Sequence, residues 1–305
     1  MLTSFREIEE KVKSLPKRTV VVPAAANTCI LEAALEAQKR GLAQFTLIDS
    51  RARLIESLKE LGRDESALDD FTVIEEEDCK KAAKLGVSLI REGKAELIGK
   101  GRLQTSELIK AVLDKKEGLR EPESLLCDIM VIEQPLLPEA KLIGMSDPAL
   151  CVTPTAEDLV KITKNCLPVM NKLGYEKPRI AFLAALEVEK EAMPATVMAA
   201  AAAKSFNDSD AEVYAEGPLS FDIACSARAA EVKKRETPVA GKAELLIVPN
   251  IETGNVLAKT IAVFTEAEYG HLVLGAKVPV VMSSRSDSSL SKFNSILLGL
   301  LCAGA

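Results

Sequence analysis

Leu245-Leu-Ile-Val-Pro-Asn-Ile-Glu-Thr-Gly-Asn255 is a short apolar run that leads directly into a polar loop. The same pattern returns in Leu272-Val-Leu-Gly-Ala-Lys-Val-Pro-Val-Val-Met-Ser-Ser-Arg-Ser-Asp-Ser288. Apolar runs of this length predict buried strands. The first is predicted to end in a Gly-Asn turn whose amides approach a ligand, and the second in a hydroxyl, a guanidinium and a carboxylate. Because ligands of α/β proteins bind beyond the carboxyl ends of the strands, this arrangement favours an anionic substrate.

Helical and strand patterns alternate through the rest of the chain. Strands are predicted at 18–26, 45–49, 71–75, 95–99, 127–133, 179–183 and 211–215, and helices at 31–40, 51–61, 78–92, 105–113, 155–173, 194–204 and 290–301. This alternation predicts an α/β fold of two domains, each a mostly parallel sheet flanked by helices. We expect the first domain to comprise 1–137 and 283–305, the second 138–282, and the active site to lie in the interdomain cleft.

A five-residue repeat supports the idea of two similar lobes. Gly-Lys-Ala-Glu-Leu occurs at 93–97 and again at 241–245. Each copy stands at a predicted junction of a helix with an apolar strand. A repeat of five residues is weak by itself, but its equivalent position in each half indicates related α/β units.

Composition narrows the class of protein. The 305 residues carry a net charge of −6, and the 39 Lys and Arg residues are spread along the chain, which argues against nucleic-acid binding. No signal-peptide pattern opens the sequence, and no apolar run is long enough to span a bilayer. We therefore expect a cytoplasmic enzyme that binds neither nucleic acid nor membrane.

Cysteine and histidine usage disfavours several kinds of site. The seven cysteines are far apart, with no C-x-x-C pair, so neither a disulfide framework nor a zinc site is predicted. His271 is the one histidine, and a Ser-His-Asp triad would have to use it. Its position at the start of a strand favours a structural role. Dinucleotide-binding and P-loop glycine motifs are absent from the sequence.

Three loops carry the candidate binding residues: Gly99, Lys100, Thr105 and Ser106 in the first, Gly254 and Asn255 with Lys259 in the second, and Ser284, Arg285 and Asp287 in the third. Glycines and helix N-termini suit an anion, with Thr105 and Ser106 as the predicted N-cap. Ordinary turns and helix caps explain the first two loops equally well. Capping also explains the serines and Asp287 of the third loop, but gives no reason for Arg285.

Seven segments, in this order, resemble the phosphate acetyltransferase and phosphate butyryltransferase family, most closely its shorter, butyryltransferase-like branch. They are distributed between residues 97 and 288, at 97–106, 110–120, 193–196, 217–222, 238–244, 249–255 and 278–288. The resemblance implies two α/β domains of the isocitrate/isopropylmalate dehydrogenase-like type and a homodimer. It also implies reversible transfer of a short-chain acyl group between coenzyme A and inorganic phosphate, giving an acyl phosphate, with no metal or prosthetic group.

The resemblance also assigns roles to residues. Ser284 and Arg285 match the family's Ser-Arg pair, so Arg285 is expected to bind phosphate and Ser284 to hydrogen-bond the reacting carbonyl. Asp287 matches the Ser-Arg-x-Asp form of the butyryltransferases and is the candidate base, because the acetyltransferase branch's aspartate position holds Ser291 here. Lys110 stands where the family often has a phosphate-binding arginine.

Gly217 and Asp222 delimit another matching segment and are expected near the substrate; Asp222 can equally be a helix cap. Arg102 stands where the family is usually apolar, and it either contacts phosphate or the coenzyme A diphosphate or is solvated.

Other functions stay open at this point. Two lobes can close on a small anion without chemistry, and a member of the family can be catalytically silent. An oxidoreductase of the related dehydrogenase fold needs clustered metal-binding aspartates, which have no convincing spacing here. Acyl specificity cannot be read from the chain, because each methylene is worth only about 1 to 3 kcal/mol. Acetyl, propionyl, butyryl and branched acyl groups are all compatible with the sequence.

Overall fold

The computed structural model of the protein describes residues 1–121, 124–134, 141–282, 284 and 286–304. The chain divides into two compact units. We call Phe5–Ser124 with Glu268–Ala305 the terminal unit, and Met1–Ser4 with Leu125–Ala267 the central unit. Within the described residues, no helix combines the length and apolar character needed to cross a bilayer.

The secondary structure alternates as the sequence predicts. The helices are α1 (Phe5–Lys13), α2 (Thr28–Lys39), α3 (Arg51–Glu60), α4 (Cys79–Arg91), α5 (Thr105–Val112), α6 (Ala156–Lys172), α7 (Pro194–Asn207), α8 (Phe221–Cys225), α9 (Ala227–Val232), α10 (Ile251–Phe264) and α11 (Ser289–Cys302), with a 3₁₀ turn at Glu65–Leu68. The strands are β1 (Arg18–Pro23), β2 (Ala43–Ile48), β3 (Thr72–Ile74), β4 (Leu97–Gly99), β5 (Cys127–Gln134), β6 (Lys141–Ser146), β7 (Arg179–Leu183), β8 (Tyr214–Leu219), β9 (Leu245–Ile247), β10 (Tyr269–Leu274) and β11 (Val280–Val281).

The sheet of the terminal unit has the strand order β3-β2-β1-β4-β11-β10. Its first five strands are parallel, and β10 pairs antiparallel with β11. The chain passes from β1 to β2 and β3 on one side and then returns to β4 on the other. A topological switch point therefore lies between β1 and β4, where α/β sheets bind ligands.

The sheet of the central unit has the order β5-β6-β9-β7-β8. Its strands β6, β9, β7 and β8 are parallel neighbours, and β5 pairs antiparallel with β6. Both units are mostly parallel sheets with interleaved helices, which confirms the predicted fold class. The predicted domain division at 137/138 and 282/283 stays a prediction about folding domains. The compact units divide the chain at 4/5, 124/125 and 267/268, with β5 and β6 in the central unit and β10 and β11 in the terminal unit.

The repeated pentapeptide makes the same contacts in both units. Its glycine has a positive φ in each copy, +70° at Gly93 and +72° at Gly241, and ends the preceding turn. Its glutamate then bonds, through both its carboxylate and its amide, to one residue at the start of the neighbouring strand. Glu96 accepts the Thr19 amide at 2.8 Å and donates its own amide to the Thr19 carbonyl at 3.0 Å.

Glu244 repeats this pattern with Arg179 in the central unit. The Glu244 carboxylate accepts the Arg179 amide at 2.9 Å, and the Glu244 amide donates to the Arg179 carbonyl at 2.8 Å. The guanidinium of Arg179 adds a second bond to the carboxylate at 2.6 Å. The repeat thus aligns β4 on β1 and β9 on β7, as expected if it introduces equivalent strands.

The predicted Gly-Asn turn after β9 is wrong, since both residues lie inside α10. The Asn250 side chain accepts the Thr253 amide at 2.9 Å and caps the helix, which begins one residue later. Gly254 is needed for packing: a Cβ there would lie 2.7 Å from the Asp147 carbonyl oxygen. Because glycine has no Cβ, α10 can approach the loop after β6 closely.

Two smaller expectations are also corrected. Gln104, not Thr105 or Ser106, occupies the N-cap position of α5, and its amide donates to the Glu107 carboxylate at 3.0 Å. The second apolar run forms two antiparallel strands, β10 and β11, in place of one strand. At the start of α6, Thr155 and Asp158 form a capping box through reciprocal bonds between side chain and amide.

Asp147 predicts a pH dependence of stability. Its carboxylate is 2% exposed and accepts the amides of Ala149 and Leu150 at 2.7 and 2.9 Å. Burial and the nearby Asp128 raise the pKa of Asp147 above its ordinary value of 3.8. As pH rises above that value, the unfolded state loses its proton before the folded state does. The free energy of unfolding therefore falls as pH increases toward the raised pKa.

Replacing the carboxyl by an amide removes this titration and keeps one oxygen for the two amides. We expect Asp147→Asn to gain stability relative to the wild type as pH is raised from about 4 to about 8. Urea unfolding midpoints of both proteins across that range measure the difference. A difference that stays constant with pH would contradict the assignment.

Candidate active site

The loops after β4 and β11 leave the terminal sheet side by side. The two strands are parallel, with Val281 opposite Gly99, and the Lys100 amide donates to the Val281 carbonyl at 2.9 Å. Since parallel strands end at the same edge, the predicted first and third loops start as neighbours. The tertiary structure thus brings Gly99 and Lys100 to the strand end that leads to Ser284.

Gly101 fastens the loop after β4 to the end of β1. Its amide donates to the Pro23 carbonyl at 3.2 Å, and the Arg102 amide donates to the Ala24 carbonyl at 2.7 Å. A Cβ on Gly101 would lie 1.9 Å from the Ala24 oxygen, so only glycine fits this approach. The loop is therefore held at the switch point between β1 and β4.

A buried carboxylate ties a third loop to the same edge. Asp49, fully buried at the end of β2, accepts the amides of Ala26 at 3.0 Å and Ser50 at 2.9 Å. Arg102 Nε donates to it at 3.1 Å, and this bond raises the pKa of the guanidinium. Arg102 is thus ion-paired, and the loops after β1, β2 and β4 are linked by one carboxylate.

The loop after β11 folds around Ser284. The Ser284 amide donates to the buried Asp287 carboxylate at 2.6 Å, and the Ser284 carbonyl accepts a hydrogen bond from the Lys292 ammonium at 2.8 Å. The Tyr269 hydroxyl contacts the other carboxylate oxygen of Asp287 at 3.4 Å, and the hydroxyls of Ser284 and Ser286 are 3.1 Å apart. The backbone of Ser284 is therefore held on both sides. Arg285, the predicted phosphate ligand, lies outside the described residues.

The remaining candidates of the terminal unit are on α5. Thr105 and Ser106 are exposed in its first turn, and Lys110 is exposed one turn later. Lys110 lines a groove of about 310 Å³ between α4 and α5, together with Lys80 and Lys84. The carboxylates of Glu107, Asp114 and Glu117 also line it, so three negative charges balance the three ammonium groups.

The candidates of the central unit fall into two places. Gly254 is buried against the Asp147 loop, and Asn255 donates to the Pro148 carbonyl at 3.3 Å, while Lys259 is exposed on α10. These contacts give Gly254 and Asn255 a packing role in addition to any substrate contact.

Gly217 and Asp222 lie in another part of the central unit, in the edge strand β8 and in the helix that follows it. Gly217 is in β8, where a Cβ would lie 2.7 Å from the Ala199 carbonyl oxygen. Asp222 lies on α8, 3.1 Å from the Lys233 ammonium; hydrogen bonds from Ser220 and Lys233 lower its pKa. Helix packing and a surface ion pair thus account for both residues, and their predicted contact with substrate stays a prediction.

Comparison with known proteins identifies the family. The sequence pattern described as phosphate acetyl/butaryl transferase matches residues 71–300. The chain belongs to this family. A phosphate butyryltransferase from Clostridium acetobutylicum is 35% identical over 305 residues, covering 100% of this chain and 99% of the relative.

Solved structures support the same relationship. A branched-chain phosphotransacylase from Enterococcus faecalis V583 has a TM-score of 0.82 and 32% identity, covering 93% of this chain and 98% of that one. A 4-hydroxythreonine-4-phosphate dehydrogenase from Klebsiella pneumoniae, 12% identical with a TM-score of 0.55 and covering 94% and 99% of the two chains, shares the fold alone. The predicted membership of the phosphate acyltransferase family and its dehydrogenase-like fold are both confirmed.

Sequence reasoning missed two residues at this acyltransferase's candidate site. Asp49 gave no signal, because an acidic residue after a strand is equally common in solvated loops. Lys292 did give a signal in the sequence, because it is the single lysine within the apolar helix pattern of 290–301. A charge in such a helix indicates either an exposed face or a buried partner, and it is 4% exposed.

The close approach of Gly101 predicts a sharp difference between two neighbouring glycines of this family member. Gly101→Ala should destabilise the fold by at least about 2 kcal/mol, because its Cβ collides with a backbone oxygen. Gly99→Ala is the matched control: its Cβ would lie 3.5 Å from Val22 Cγ2, an ordinary contact. It should stay within about 1 kcal/mol of the wild type. Urea unfolding measures both, and equal midpoints would contradict the packing argument.

Proposed function

We propose that this chain catalyses the reversible transfer of a short-chain acyl group between coenzyme A and inorganic phosphate. The observation that carries this proposal is the 35% identity with a phosphate butyryltransferase over the full length of both chains. The branched-chain phosphotransacylase relative extends the proposed substrates to branched acyl groups. Coenzyme A acts as a co-substrate, and no prosthetic group is proposed.

In one direction, the reaction transfers the acyl group of an acyl phosphate to the coenzyme A thiol. The coenzyme A thiol loses its proton to a base, and the thiolate adds to the acyl carbonyl. The resulting oxyanion then collapses, the carbon–oxygen bond to phosphate breaks, and acyl-CoA and inorganic phosphate leave. Hydrogen-bond donors and fixed positive charge stabilise the oxyanion and the departing phosphate.

The roles proposed from sequence can be placed on this chemistry. Ser284 donates a hydrogen bond to the reacting carbonyl oxygen, Arg285 binds the phosphate with its planar donors, and Asp287 is the candidate base. Asp287 is 3% exposed and already accepts the Ser284 amide. A base in this position also orients the serine, so its removal should affect both the proton transfer and the loop unless the hydrogen-bond acceptor is kept.

The proposed substrate contacts come from both units. Gly99, Lys100 and the α5 residues Thr105, Ser106 and Lys110 are proposed to bind the anionic parts of acyl-CoA and phosphate. Gly217, Asp222, Gly254, Asn255 and Lys259 are proposed as contacts of the central unit. The cytoplasmic location stays a prediction from sequence.

A panel of acyl-CoAs, acetyl through isovaleryl, tests the reaction with and without phosphate. Thiol release should depend on phosphate in the wild type, and Arg285→Ala should lower kcat/KM by at least about 10²-fold by removing charge stabilisation. Arg285→Lys is the matched variant that keeps the charge and loses bidentate geometry. Release that is independent of phosphate for every acyl group would refute the proposed reaction.

Asp287→Asn tests the base in the same assay. The amide oxygen can still accept the Ser284 amide, so the loop contact is kept while the proton acceptor is lost. We expect kcat to fall by about 10²- to 10⁴-fold, with loss of the acidic limb of the pH–rate profile. An unchanged pH profile would assign the base to another group.

A second copy of this chain is the proposed partner, and α10 is its proposed interface. The helix is strongly apolar, yet only Gly254 and Ala258 are buried, and Val256, Val263 and Phe264 are 66%, 71% and 82% exposed. An apolar helix this exposed marks an interaction surface.

The sequence of α10 also suits a two-fold axis. Val256 and Val263 are seven residues apart, and so are Glu252 and Lys259. At helical spacing all four residues lie on the same face of α10. In an isologous contact the same patch meets itself, so one face with both an acid and a base is self-complementary when two copies run antiparallel.

Val263→Glu should weaken the dimer at least about 10-fold, because it buries an unpaired carboxylate at the interface. Val232→Glu is the matched control: Val232 is a valine of the same unit, 72% exposed, on α9. Sedimentation velocity at micromolar protein measures the state of assembly. Equal masses for the wild type and both variants would remove α10 from the interface.

A further inference from the structure

Lys292 is a buried charge that the proposed chemistry does not use. It lies in the first turn of α11 and is 4% exposed. Burying an ammonium group is costly unless it is paired and hydrogen-bonded. A buried ammonium group at this position therefore requires a specific structural or functional role.

The position of Lys292 beside Ser284 indicates that role. The Lys292 ammonium donates to the Ser284 carbonyl at 2.8 Å, and the Asp287 amide donates to the same carbonyl at 3.3 Å. On the other side of the residue, the Ser284 amide donates to the Asp287 carboxylate at 2.6 Å. Lys292 thus ties the turn from Ser284 to Asp287 onto the helix that follows it.

We infer that Lys292 is a positioning residue for the acyl transfer, acting through Ser284. This inference rests on the proposed function, in which the Ser284 hydroxyl donates to the reacting carbonyl. Both peptide groups of Ser284 are held by buried charged side chains, while its own side chain is only half-buried. A hydroxyl on a backbone held in this way needs no reorganisation when charge develops on the substrate oxygen.

Direct binding of phosphate by Lys292 is the alternative, and burial argues against it. The charged end of the side chain is directed to a main-chain carbonyl, and little of the residue reaches solvent. A substrate anion would have to displace that bond. Lys292 therefore acts on the substrate through the serine.

A double-mutant cycle tests this inference. Ser284→Ala should lower kcat by about 10²- to 10³-fold, as loss of one oxyanion donor does. Lys292→Met removes the ammonium and keeps the length of the side chain; it should lower kcat by about 10²-fold, with KM for acyl-CoA little changed. In the Ser284→Ala background the same change should cost less than about 3-fold, because the residue it positions is gone.

Additive losses in the two backgrounds would overturn the inference, because a general structural role costs the same in both. Wild-type kcat in Lys292→Met would overturn it as well. Asn294→Leu is the matched control: Asn294 is a buried polar residue of the same helix, 1% exposed, and donates to Glu268 at 3.1 Å. It should lower the unfolding midpoint and leave kcat unchanged.

Hydrogen exchange separates this inference from the proposed function. The amides of Ser284 and Asp287 should exchange faster in Lys292→Met and at the wild-type rate in Lys292→Arg, which keeps a donor. This readout needs no substrate. Unchanged exchange in Lys292→Met refutes the contact. If Lys292→Met exchanges faster but the wild type shows no phosphate-dependent activity, the proposed reaction is refuted and only the contact remains.

Discussion

The parallel alignment of β1, β4 and β11 is the constraint on which the terminal unit depends. It places the carboxyl ends of three strands at one edge, and every loop there is then fastened by a short-range contact. Gly101 approaches β1 too closely for any side chain, and Asp49 joins three loops through one carboxylate. Glu96 helps to set this alignment by hydrogen-bonding to both the amide and the carbonyl of Thr19 near the start of β1.

Three buried charged side chains hold the loops at this edge of the terminal sheet. Asp49, Asp287 and Lys292 are each 4% exposed or less, and each is hydrogen-bonded to main-chain groups of a loop. Such groups are costly to bury, so loop conformations that break their hydrogen bonds are disfavoured. An enzyme that stabilises developing charge benefits from loops that do not have to reorganise. The same stiffness explains why the serine of the loop after β11 suits the proposed transfer.

The sequence predicted most of the elements and part of the site. The valines of β1 and the leucines at the starts of β4 and β9 belong to short apolar runs that are typical of buried strands. The repeat Gly-Lys-Ala-Glu-Leu marked two equivalent junctions, and Ser284 and Asp287 were singled out together. Gly254 and Asn255 were misassigned to a turn, because a glycine beside an asparagine is typical of turns. Here the glycine instead admits a close approach of α10 to the Asp147 carbonyl.

The sequence by itself determined the fold class, the order of the elements and the family, because periodicity and ordered motifs report local burial and common descent. Only the tertiary structure decided the partners of the charged residues. Arg102 pairs with Asp49, which is 53 positions away, and Lys292 holds a carbonyl of the preceding loop. A lysine or an aspartate has the same signature in sequence whether it is solvated or buried, since its environment is made by strands that meet only in the folded chain.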